Sequence, residues 1–318
     1  MLCQNRIGRR VAYFVRALVV IVLLFIPVRS AAQTPDPKSI VIDEYGITIE
    51  YRAEDQRVAD RVAEICTESI PEIAKGLGLS EVRPFRVFLI PELEEYGKRM
   101  NVRFPSWGVA FAFMESQVML VDVKRASNAW NTLEKVIPHE LSHILVAQRV
   151  GNIPMPVWFL EGLAQWQAHQ WSIAESWRLM EAVWGNRAPH LAQISNKLPS
   201  GEPRIREAYR VSYVAFQYRF DKEMELVPAF LNEIVAQNDF DKAFEIFWGE
   251  TQFDFYARFS GHLVAKYRSG LMLFQTGPLF TLVSVLFVFV IFFTWLRNRR
   301  KLKRMEEQER GLFDDRSV

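Results

Sequence analysis

His139, Glu140 and His143 stand in the order His-Glu-Leu-Ser-His. On a helix, two histidines four apart project from one face, one turn from each other. Both imidazoles can then reach a single cation at about 2 Å. Glu140 is rotated away from the metal axis and is placed to touch a metal-bound water rather than the metal. Such an open site makes water a nucleophile near neutral pH, and a neighbouring carboxylate can take its proton. The chain has 5 histidines, which makes this pattern improbable by chance. The competing explanation is a buried helix carrying two histidines for packing.

A second run, Trp158-Phe159-Leu160-Glu161-Gly162-Leu163-Ala164, weighs against that explanation. Between the two runs, Arg149-Val150-Gly151-Asn152 reads as a helix end, with Gly or Asn in a left-handed cap. Pro154 and Pro156 enforce a break, and Pro156 suits the first turn of a new helix. A helix, a tight turn and a returning helix can bring Glu161 over the first helix. Its neighbours are apolar, so an acid there needs a partner. Two histidines and a glutamate, with water in the fourth position, form a known catalytic zinc set.

The two runs together resemble the gluzincin branch of the zincin metallopeptidases, and most closely the bacterial peptidase MA-like domains. The likeness extends over roughly residues 39–268, but strong motif identity covers only about residues 139–166. It implies zinc (Zn2+) held by His139, His143 and Glu161, with Glu140 as general base. It also touches Ala208-Tyr209-Arg210-Val211-Ser212-Tyr213, similar to the helix start that carries an oxyanion-binding tyrosine in zinc aminopeptidases. On that likeness Tyr209 is the candidate, and Tyr213 or His190 are alternatives. A neutral phenol can donate to developing negative charge. Ala112-Phe113-Met114-Glu115-Ser116 partly matches the aminopeptidase strand that holds a free amino group, but the Gly and Asn of that pattern are missing. An ordinary hairpin turning at Glu115-Ser116-Gln117 is the preferred reading.

The ends of the chain bear on location. Arg6, Arg9, Arg10 and Arg16 precede an apolar run from Ala17 to Val28, followed by Ser30-Ala31-Ala32. This reads as a secretory signal peptide over residues 1–32, with an uncleaved anchor as the alternative. Leu279 to Leu296 is charge-free and apolar. With its flank from Leu271 it gives an expected transmembrane helix at 271–296. The Arg- and Lys-rich run from Arg297 to Arg304 marks a cytoplasmic tail, residues 297–318, by the positive-inside rule. The intervening segment, 33–268, is then extracytoplasmic, and periplasmic in a bacterium. Beyond Met305 the tail reads as charged and disordered.

The formal net charge is +2, with basic residues concentrated at the membrane flanks. No broad basic surface is implied, and nucleic acid is not an expected partner. Of 2 cysteines only Cys66 follows the signal segment, so that domain has no intrachain disulfide to hold it.

Periodicity gives the scaffold. Ile40–Ile42 and Ile47–Ile49 read as strands, 55–76 as a helix ended by Gly76 and Gly78, Phe85–Leu89 as a strand, and 92–100 as a helix. A hairpin follows at 109–121. The His-Glu-Leu-Ser-His helix starts either near Asn131-Thr132-Leu133-Glu134, as a capped start, or at Pro138, which removes a helix bond. Later helices fall at 205–220, 224–237 and 252–266. Trp171, Trp177 and Trp184 form an aromatic stripe expected in the core. His169 and His262 read as surface or packing histidines. The expected fold is thus α+β: a zincin-like domain with a small mixed N-terminal sheet, a helical C-terminal lobe and one C-terminal transmembrane helix.

The expected function is a single-pass, membrane-anchored zinc metallopeptidase acting on a peptide or protein substrate. A catalytically inactive zincin-fold binding or assembly protein is one rival, and a zinc amidohydrolase acting on a non-peptide substrate is another. Substrate, endo- or exo-cleavage and oligomeric state are not encoded legibly.

Overall fold

The computed structural model describes residues 37–102, 104–106, 108–128, 132–220, 223–268 and 278–314. The signal-peptide reading, Asn131 as a cap and the apolar flank 271–277 lie outside these residues. The chain divides into two units, Met1–Ser260 and Gly261–Val318.

The first unit is α+β. Five strands form a mixed sheet: β1 (Lys38–Ile42), β2 (Ile47–Tyr51), β3 (Arg86–Ile90), β4 (Ala110–Phe113) and β5 (Val118–Asp122). Their order is β1-β2-β3-β5-β4. The β1–β2 and β4–β5 pairs are antiparallel, while β2–β3 and β3–β5 are parallel. The parallel β2–β3 pair requires a crossover, supplied by helix α1 (Gln56–Leu77). Its apolar stripe of Val58, Val62, Ile65, Ile70 and Ile73 is buried. Gly78 ends the helix at φ +64, a left-handed conformation that glycine adopts without strain. In β3 and β5 nearly every residue is buried, as expected for strands covered on both faces, whereas β2 alternates.

Helix α2 (Leu93–Met100) and the short α3 (Val123–Asn128) flank this sheet. Asp122, fully buried at the end of β5, supports both. Its Oδ2 accepts from Leu93 N at 2.9 Å and its Oδ1 from Arg125 N at 2.8 Å. Arg125 Nη1 in turn donates to the carbonyls of Pro105 and Gly108, at 3.1 and 2.7 Å. This set of bonds fixes the loop leading into β4, the edge strand.

The helical part begins with α4 (Leu133–Val150), which carries His139 and His143. Pro138 lies inside it, so the helix starts before the proline rather than at it. Thr132 makes no side-chain cap. Gly151 closes the helix with φ +72 and ψ −144, a positive-φ position but not the left-handed cap expected. Pro156 is the extended N-cap of α5 (Val157–Gln167), one position ahead of the expected first turn. Next come α6 (Ile173–Trp184), α7 (Leu191–Ile194), α8 (Glu202–Phe220), α9 (Leu226–Gln237), α10 (Phe240–Trp248) and α11 (Gln252–Arg268).

The tryptophan stripe also departs from expectation. Of the tryptophan stripe, Trp171 stacks flat on Tyr213 with centroids 4.4 Å apart, but Trp177 and Trp184 are 39 % and 51 % exposed. The core is built instead on the phenylalanines of α5, α8, α9 and α10, which better fill the space between crossing helices. Phe159 lies 5.3 Å from Phe240 and 5.7 Å from both Phe216 and Phe230, centroid to centroid.

In the second unit, α12 (Pro278–Asp314) contains a 20-residue candidate membrane span, Leu282–Lys301, which is charge-free as far as Leu296. At 1.5 Å per residue this is about 30 Å, long enough to cross a bilayer. The helix continues through Asp314, where disorder was expected for the charged tail. The run Lys301–Arg310 consists almost wholly of strong helix formers, which extend a helix already nucleated.

Cys66 tests the packing of α1. It is fully buried, and burial pushes its thiol up to about 12. The expected result is no alkylation of the Cys66 peptide by iodoacetamide at pH 8 in native protein and complete alkylation in guanidinium, read by mass spectrometry. Rapid native labelling would contradict this packing.

Candidate metal centre

Helix α4 presents His139 and His143 on one face, and α5 returns against it with Glu161. The break between the helices is short, and the Val157 N–H is fixed to the Ser195 carbonyl at 2.7 Å. Residues 158 and 159 anchor α5. Phe159 lies about 200° around the helix from Glu161, so burying the phenylalanine in the aromatic core turns the glutamate towards α4. Trp158 is also fully buried, and its Nε1 donates to the Tyr256 hydroxyl at 3.0 Å.

Three ligand atoms converge. His139 Nε2 and His143 Nε2 are 3.2 Å apart, and Glu161 Oε2 lies 3.3 Å from the first and 3.8 Å from the second. A tetrahedral ion with bonds of 2.0–2.1 Å would place its ligand atoms about 3.3 Å apart. Glu161 Oε2 is buried and has no hydrogen-bond partner among the described residues. An unpartnered carboxylate oxygen facing two imidazole nitrogens is a costly arrangement by itself, and a cation among the three resolves it. These residues could hold a metal ion, in donor chemistry and in spacing.

The electrostatics agree with a strongly coupled, desolvated cluster. For Glu161, burial acts to raise the carboxyl, but the facing His139 and His143 rings outweigh it and hold it below the usual range. Burial similarly opposes protonation of His139, yet Glu161 and Glu140 draw its proton in and raise it. His143 falls to about 4 through burial and the neighbouring His139 charge, so it is neutral and able to coordinate at pH 7.

Glu140 lies beside the ligand set. Its Oε2 accepts the Ala112 backbone N–H of β4 at 2.7 Å. Burial, with the Glu161 charge, pushes its carboxyl up to about 7, against the lowering effects of His139 and the Ala112 amide. The β4–β5 ladder explains why that amide is available. Asp122 N donates to the Val109 carbonyl, which sets the alternation and leaves the amide of Ala112 on the open edge.

Tyr209 on α8 is brought to the same place, its ring centroid 6.3 Å from that of His139. Burial and the charges of Glu161 and Glu140 raise its phenol, which keeps it protonated. Tyr213 is stacked on Trp171, and His190 is an exposed cap of α7. Glu115 lies exposed in the turn between β4 and β5. His169 is exposed and pairs with Glu72 at 3.5 Å, away from the cluster.

Two positions that sequence reasoning passed over hold Tyr209. Gln165 Nε2 bridges α5 and α8, donating to the carbonyls of Glu161 at 3.0 Å and Tyr209 at 2.9 Å. Gly162 lets the helices touch: a Cβ there would lie 2.5 Å from both the Ser212 carbonyl oxygen and Phe216 Cβ. The spacing of Gln165 from Glu161, one helical turn, was the available signal. The amide bonded to Glu140 left none, because a backbone donor has no residue type.

No protein-family model matches the chain, and none of the curated proteins matches it significantly. The site therefore stands on its own geometry.

The contact at Gly162 is open to test. Gly162→Ala should destabilise the protein by about 1–3 kcal/mol, because a backbone carbonyl must move. For a domain of this size that corresponds to a fall in Tm of roughly 2–4 °C per kcal/mol, measured by thermal denaturation in detergent. An unchanged Tm would contradict the close approach of α5 and α8.

Proposed function

We propose that the chain is a membrane-anchored zinc metallopeptidase that hydrolyses peptide bonds outside the cytosol. The observation that carries the reading is the convergence of His139, His143 and Glu161, with their ligand atoms within 4.8 Å of one another, beside the partly buried Glu140 carboxylate. A structural histidine pair would account for neither the unpartnered Glu161 oxygen nor the position of Glu140.

His139, His143 and Glu161 would hold the zinc. Bound there, zinc supplies Lewis-acid polarisation of a carbonyl and lowers the pKa of water. Glu140 acts as general base: it takes a proton from the attacking water and passes it to the leaving amine. The Ala112 amide holds one oxygen of that carboxylate, Oε2, and Oε1 would take the proton. Tyr209, kept protonated, donates to the oxyanion that develops at the attacked carbonyl. Strand β4 is an edge strand, so an extended peptide can lie along it and pass Glu140.

The candidate membrane span Leu282–Lys301 supports anchoring. The basic run from Arg297 favours a cytoplasmic C-terminal end by the positive-inside rule, and on this reading the peptidase acts outside the cytosol.

The test is Glu140→Gln in full-length, zinc-loaded protein in detergent, supplied with a peptide library. Cleavage should fall by about 10²–10⁴-fold, the usual contribution of a general base, with zinc content unchanged. Wild-type rates in the variant would overturn the assignment of Glu140.

A further inference from the structure

Adjoining Tyr209 is a cavity of about 290 Å³. Its walls come from the first turns of α4 and α6, the residues following α5, and α8. Tyr209 belongs to both places, lining the cavity and sitting beside His139. An extended peptide advances about 3.3 Å per residue, so a chain reacting at the ligand cluster would present a nearby group to this cavity. The volume lies at the small end for ligand pockets and suits one side chain or one chain terminus.

The lining charges are unequal. Lys135, Arg206 and Arg210 face a single carboxylate, Glu175. That carboxylate is already engaged: Arg210 Nε contacts its Oε2 at 2.6 Å, and Arg178 pairs with its Oε1. Arg206 reaches Glu202 through two bonds to one oxygen, at 3.0 and 2.7 Å, on the exposed side of α8. Lys135 has no carboxylate within ion-pair distance among the described residues. Its backbone is fixed, since the Lys135 carbonyl accepts from Gln170 Nε2 at 2.8 Å. Trp171, held flat on Tyr213, gives the cavity a rigid wall. The cavity is thus a half-open space in which Arg206 and Arg210 already have carboxylate partners and Lys135 has none among the described residues, and a further carboxylate completes it.

We propose that this cavity is a specificity pocket in which Lys135 and Arg206 select a carboxylate of a peptide bound at the metal centre, either an acidic side chain or the terminal carboxylate. The inference rests on the peptidase reading for what brings the peptide there. An amide or an ammonium group in the same position would leave Lys135 unmatched or repelled.

The test uses full-length protein in detergent, with fluorescent peptides that differ only by Glu, Gln or Lys at one scanned position. Each peptide is made with a free and an amidated C-terminus. Binding is read by anisotropy and cleavage by mass spectrometry, in wild type, Lys135→Gln, Lys135→Glu and Arg206→Gln. The wild type should bind one class of carboxylate about tenfold more tightly than its neutral counterpart. Dependence on Glu assigns the pocket to a side chain, and dependence on the free C-terminus assigns it to a chain end. The preference should shrink towards unity in Lys135→Gln and turn towards Lys in Lys135→Glu. Equal affinities across the wild-type panel, or no binding by folded wild type, would overturn the proposal. Selective binding without cleavage would keep the pocket and remove the peptidase reading, whereas cleavage without selectivity would do the reverse.

Discussion

The structure depends on holding three ligand atoms from two helices within 4.8 Å of one another. His139 and His143 meet because one helix carries them a turn apart. Glu161 arrives from another helix, and only tertiary packing can bring it within 3.8 Å of both nitrogens. Burying ionisable groups in this way costs several kcal/mol each when they are not fully compensated. The aromatic core opposes that cost. Trp158 and Phe159 are fully buried on the helix that bears Glu161, and each such side chain contributes roughly 1.5–3 kcal/mol. The anchor and the ligand are parts of one short helix, so the packing that offsets the cost also sets the geometry.

The same economy extends outward from the cluster. Gly162, next to the ligand, allows α8 to approach at backbone distance, and Gln165, one turn on, ties the Tyr209 carbonyl to α5. On the other side, Asp122 and Arg125 secure the loop into β4, whose outer amide at Ala112 orients Glu140. The sheet therefore does more than cover helices: its edge strand orients the Glu140 carboxylate. Mutations far from the ligand atoms, on α8 or in the loop before β4, reach the site through these few backbone bonds.

Much of this was legible in the sequence, because the signals were local. The His-Glu-Leu-Ser-His spacing needs only the helical repeat, the Gly151–Pro156 break announces a turn, and short apolar runs beside turn residues marked the strands. Less local features were obscure. Trp177 and Trp184 share the spacing of a buried stripe yet face solvent, since hydrophobic period cannot say which aromatic residues the neighbouring helices will cover. Pro138 lies within α4 because packing on both sides outweighs the loss of one hydrogen bond. The order of the strands, the parallel crossover through α1 and the amide at Ala112 are pairings between distant segments, and no residue type records them. The cavity beside Tyr209 draws its charges from α4, α6 and α8, so it exists only once those helices are assembled.

The central claim is that His139, His143 and Glu161 form one metal site. It is tested most directly by the zinc content of the purified full-length protein, measured by elemental analysis beside His143→Ala and Glu161→Ala. The account predicts about one zinc per wild-type chain and loss from both variants, with folding preserved by circular dichroism. A folded wild-type protein that takes up no zinc, or retention of zinc in Glu161→Ala at wild-type affinity, would contradict it.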